Sequence, residues 1–68
     1  MKLYDANRNS WVKVIGGDLA APPGARLVPY NEVVKFHHMD GMYSYCHDKD
    51  GNVVHLPAWQ EVTYADPP

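Results

Sequence analysis

All four histidines, His37, His38, His47 and His55, and the single cysteine, Cys46, fall within 19 consecutive positions of this 68-residue chain. Imidazole and thiolate are the soft ligands that Zn²⁺ prefers, so the first chemistry this spacing suggests is metal binding, with His37, Cys46 and His55 as the candidate ligands. A closed structural zinc site takes four such groups, and the spacing here matches no C-x₂-C pattern. Cys46 beside His55 is also formally a nucleophile and a base. Catalysis would further require donors for a developing oxyanion and a pocket to hold them, which mid-strand positions in a short chain do not supply. The reading is therefore non-enzymatic, with no cofactor, and the metal site stands as the alternative. Asp48-x-Asp50-Gly51-Asn52 has the look of a calcium loop but lacks the twelfth-position Glu and the flanking helices, and reads as a turn.

The second chemistry is contact. Tyr4, Trp11, Tyr30, Phe36, Tyr43, Tyr45, Trp59 and Tyr64 make up 12% of the chain, more aromatic bulk than a core of this size can hold. Tyr and Trp dominate protein–protein hot spots because they bring large area with few rotors. Trp11, Phe36, Tyr45 and Trp59 are expected to form the core. Met39 and Met42 flank an Asp40-Gly41 reversal, where flexible thioethers make an adaptable surface. His38, Met39, Asp40, Met42 and Tyr43 are accordingly the candidate interaction surface.

These groups must be carried by strands. No window sustains apolar residues at i, i+3, i+4 and i+7 without meeting Gly or Pro, whereas short β-branched and aromatic runs alternate with turn residues. Strands are expected at Lys2–Asp5, Ser10–Ile15, Glu32–His38, Tyr43–His47, Asn52–Leu56 and Ala58–Tyr64, with a short extended piece at Ala25–Val28. A single helical turn at Leu19–Ala21, capped by Asp18, and a type II turn at Pro23-Gly24 fill the long connection. Asp-Gly between alternating runs is a strong hairpin signal. A two-residue Asp40-Gly41 loop would pair His38 with Tyr43, Phe36 with Tyr45 and Val34 with His47 on one face. After the second reversal, Val54 and Leu56 would share that face, with His55 opposite Cys46 on the other. The expected fold is all-β: a small five- to six-stranded antiparallel meander forming a partly open barrel or two-layer sandwich. The segment Leu3-Tyr4-Asp5 resembles the Leu-Tyr-Asp of SH3 domains, whose tyrosine lines a groove for proline-rich peptides. The resemblance covers three residues; it implies an SH3-like barrel, and no site is carried over from it.

Length and charge narrow the function. The chain has room for one small domain, residues 1–64, with a frayed tail at 65–68, and a core that is marginal at this size. One cysteine excludes an internal disulfide and points to a reducing, cytoplasmic setting. No apolar run of ~18 residues spans a membrane. Eight acidic residues outnumber six basic ones, and the basic residues are dispersed along the chain, so nucleic acid is the lesser expectation. The main expectation is a small protein-binding module. Its size and style suit a phage accessory protein that binds or inhibits a host protein, or that joins a virion component, acting alone or as a homo-oligomer.

Overall fold

Alternation of β-branched residues with polar ones drives the chain into strands, and the structure, a computed structural model describing Met1–Pro68, is a five-stranded antiparallel sheet. The strands are β1 (Ser10–Gly16), β2 (Val33–Asp40), β3 (Tyr43–His47), β4 (Val53–Val54) and β5 (Glu61–Tyr64). Their order across the sheet is β4-β3-β2-β1-β5. The sheet curls around its apolar face without closing, an open SH3-like or sandwich-type arrangement. No helix is long and apolar enough to cross a membrane.

The core is aliphatic. Leu3, Val12, Val14, Val28, Val34, Cys46, Val54, Leu56 and Val62 are buried around a single aromatic, Phe36. This corrects the expectation that four aromatics fill the interior: Tyr45 and Trp59 are exposed and Trp11 is half-buried. The reason is register. In β1 it is Val12 and Val14 that turn inward, so Trp11 and Lys13 face out.

The β2–β3 hairpin departs from expectation twice. Its two-residue loop is Gly41-Met42, with Asp40 opposite Tyr43. Gly41 alone in the loop has positive φ (68°), and Gly at the first central position is the type II′ requirement, not type I′. A β-bulge then inserts His37 between the Phe36–Cys46 and His38–Tyr45 pairs. The bulge reverses which side chains face inward, so Phe36 is buried while Tyr45 lies on the opposite side of the sheet. The β3–β4 connection adds another inversion. Asp48 N–H donates to Asn52 O (2.9 Å), which leaves Lys49-Asp50-Gly51 as a three-residue loop with Gly51 at φ 84°. Cys46 therefore pairs with Val54 rather than His55, and Val54 joins Cys46 and Ser44 on the buried face.

Other differences are local. Leu3–Asp5 is a 3₁₀ turn, because only Lys2 finds a strand partner, Glu61, before Ala6 N–H closes back on Leu3 O (2.9 Å). Leu19–Ala21 and Ala25–Val28 are irregular, and Trp59 sits in a turn before β5. The Pro23-Gly24 turn forms as expected, with Ala25 N–H donating to Pro22 O (3.0 Å) and Gly24 at φ 83°.

The charged turns pin the ends of the sheet. Asp48 accepts from the backbone N–H groups of Asp50 and Asn52 (both 2.9 Å) and from Arg26 (3.1 Å), which also forks onto Glu32. Burial alone would raise the Asp48 carboxyl, but the donors from Asn52 and Asp50 and the Arg26 charge hold it below the ordinary carboxylate range.

Candidate functional site

Two surfaces emerge, and each is assembled by backbone pairing that the sequence alone left ambiguous. The first lies along the end of the sheet where the β2–β3 tip meets the segment before β5. Residues 53–58 run antiparallel to β3 along its whole length: Ser44 N–H donates to Leu56 O (2.9 Å), Tyr43 bridges Pro57, and Ala58 N–H donates to Met42 O (2.8 Å). Tyr4 N–H donates to Ala58 O (3.1 Å) from the other side. Ala58 is thus the backbone link between Tyr4 and Met42, with Trp59 next in the chain. All three large side chains are open to solvent: Met42 is 66% exposed, Tyr4 58% and Trp59 43%.

The five residues expected at the interaction surface divide. Met42 stands at this edge with half-buried Tyr43 beside it, and Asp40 is exposed. Met39 turns in to pack against the core. His38 belongs to the second surface. Tyr4 and Trp59 were missed at this edge, Trp59 because it was assigned to the core.

The second surface is the outward face of the sheet. Cross-strand neighbours Trp11, Lys35 and His47 form one row, continued by Val53. Lys13 lies between Val33 and Thr63 in the next row. The bulge puts His37 on this face beside His38, and the rings close into a continuous series. Trp11 meets His47 edge-on at 5.7 Å between centroids, and His47 lies 4.6 Å from His37. His37 lies 5.4 Å from Tyr45, which stacks on His38 at 5.4 Å with planes 8° apart. Such offset and edge contacts each contribute about 0.5–1.5 kcal/mol beyond burial.

The candidate metal ligands are not brought together. Cys46 is buried, its Sγ 3.2 Å from Ser44 Oγ, and burial pushes its thiol upward. His37 is on the opposite face against His47, and His55 Nδ1 sits 2.8 Å from Ser44 O. No group of three His, Cys, Asp or Glu side chains is arranged to hold a metal ion.

His37 Nε2 and His47 Nδ1 approach to 2.6 Å, a distance at which one ring must donate and the other accept. Partial burial, then the positive charge of His47, Lys35 and His38, lowers the His37 pKa from 6.5. A folded value below the unfolded one means that unfolding takes up a proton in the window beneath 6.5. The stability linked to His37 is complete above that window and is lost as the pH falls through it. Asp48 and Glu61 are depressed carboxylates, Glu61 through the Met1 ammonium and Lys2, and their contributions fade only at more acidic pH. Thermal melts at successive pH values should show a fall in Tm between about pH 7 and 5 that is shallower in His37→Phe, since phenylalanine cannot titrate. Equal slopes in the two proteins would remove the pair as the cause.

The chain matches no protein-family model, no curated protein and no solved structure.

Proposed function

We propose that the chain is a non-enzymatic binding module for another protein, working through the edge formed by Tyr4, Met42 and Trp59. The carrying observation is that these three exposed side chains are tied together by consecutive backbone bonds through Ala58. Trp, Tyr and Met are the residue types that supply interface energy through area and adaptability. Because their backbones are held in register, the ordering cost on association is confined to their side chains. A small phage accessory protein that binds or inhibits a host protein, or a component of a virion, fits this economy of size. A reducing cytoplasm suits the lone buried thiol, Cys46.

The test begins with affinity capture from the lysate of the source organism, followed by titration of the purified partner. Trp59→Ala and Met42→Asp should each weaken binding about tenfold, or ~1.4 kcal/mol, with unchanged circular dichroism. Affinity that is indifferent to both substitutions would place the contact elsewhere. Light scattering that shows a dimer dispersed by the same substitutions would identify a second copy of the chain as the partner.

A further inference from the structure

Folding sorts the charges that the sequence disperses. The carboxylates of Glu32, Asp48 and Glu61 are engaged by Arg26, Lys2 and the Met1 ammonium, and the remaining cations, Arg8, Lys13, Lys35 and Lys49, have no carboxylate partner. Two of those free cations, Lys13 and Lys35, project from the outward sheet face among the rings: Trp11 is the direct cross-strand neighbour of Lys35 and lies two positions from Lys13. Carboxylates stand around this face. Asp40 is at the hairpin tip, Glu61 is neutralised at the far corner, and Asp66 follows Ala65, whose N–H donates to Trp11 O. The C-terminal tail runs from Trp11 toward a hollow that Pro68 shares with Val33 and Lys49, where Glu32, Asp48 and Asp50 also line the wall.

We propose that this face binds a single strand of nucleic acid, with bases stacking on the exposed rings of Tyr45 and His38 and on the half-buried Trp11, and phosphates meeting Lys13 and Lys35. Three features choose this occupant. Lysine is depleted from the cores of protein–protein interfaces, yet here it lies in the middle of the surface. Rings interleaved with unpaired cations match a ligand that carries π faces and negative charge at every repeat. The ring series passes from Trp11 on β1 back and forth between β3 and β2 with centroid steps of 4.6–5.7 Å, so that several rings are gathered on one face. Stacking and charge ignore base identity and the sugar, so the strand is bound without sequence preference. This surface is separate from the Tyr4–Trp59 edge, and the two readings fail independently.

Fluorescence anisotropy of a labelled oligo(dT) of about 12 nucleotides, a length within the usual single-strand site sizes, tests it. Binding should be micromolar at low salt and should weaken with added salt with a log–log slope of about −1.4, as for roughly two phosphates. Tyr45→Ala and Lys35→Glu should each weaken it about tenfold or more, and Tyr45→Phe, which keeps the ring, should restore it. Leu27→Gln, at an exposed position outside both surfaces, should leave it unchanged. Melting curves confirm that each variant is folded, and Tyr45→Phe with Lys35→Gln decides the matter if Tyr45→Ala is not. The proposal is overturned by absence of binding at low salt or by variants that bind like the parent. Displacement by poly-glutamate as effective as by unlabelled oligo(dT) would also overturn it, making the ligand an acidic peptide. Equal competition by a duplex would reduce the face to a simple charge patch and likewise sink it.

Discussion

Phe36→Ala is expected to remove about 3–5 kcal/mol, a large share of the stability of the whole fold. Phe36 is the only aromatic in the interior, enclosed by valines, leucines and Cys46. Truncating a buried phenylalanine costs about 3–5 kcal/mol, because the transfer energy is lost and the surrounding walls relax only partly. A domain of this length holds about 3–10 kcal/mol in total, at roughly 0.05–0.15 kcal/mol per residue. The valines, stiff at χ1 and fixed to the sheet, cannot swing in to fill the space. Urea unfolding followed by far-ultraviolet circular dichroism reads the outcome. A variant that retains a full cooperative transition within about 1 kcal/mol of the parent would show that the interior tolerates the void, contrary to close packing.

Ser44→Ala comes next in size, although it removes one oxygen. Ser44 Oγ accepts the Leu56 N–H (3.0 Å) and donates to Leu56 O (2.9 Å), with the Cys46 thiol 3.2 Å away, all in a site without solvent. Alanine would strand a buried amide donor, which costs about 1–3 kcal/mol for a lost partner, and the upper part of that range is expected because the group is fully enclosed. Ser44→Cys, which keeps a weak donor and acceptor of similar shape, should recover part of the loss. Chemical denaturation of the three proteins in parallel decides it: equal stability of parent and alanine variant would mean that water or a backbone shift satisfies Leu56.

The strands were legible from alternation, and the positions of both chain reversals from their Asp-Gly pairs. What the sequence did not disclose was which side of each strand is buried. That information sits in two one-residue details: His37 is inserted as a bulge, and the second loop holds three residues. Each shifts pairing by a single position, which with a side-chain period of two exchanges the faces, whereas opening the first loop at Gly41 rather than Asp40 shifts partners by two positions and keeps them. Bulges depend on how a strand must bend around its core, which is a property of the whole sheet rather than of Phe36-His37-His38 alone.

The candidate surfaces inherit this. His38 and Tyr45 were read on one face, and they stack there; Phe36, assigned to the same face, lies beneath it. The histidine cluster was noticed as a group of ligands, but the bulge sends His37 outward while Cys46 goes in. Tyr4 and Trp59 reach Met42 only through Ala58, a small residue without any signal of its own. Lys13 and Lys35 are far apart along the chain, whereas the sheet sets them on adjacent strands.

The solitary thiol has a practical consequence. Cys46 is wholly enclosed and held in its protonated, unreactive form, so an alkylating reagent finds nothing to attack while the sheet is intact. Modification must wait for the molecule to open, and the pace of labelling becomes a clock for that event. The protein carries its own gauge of breathing motions, one that needs no dye and no engineered residue.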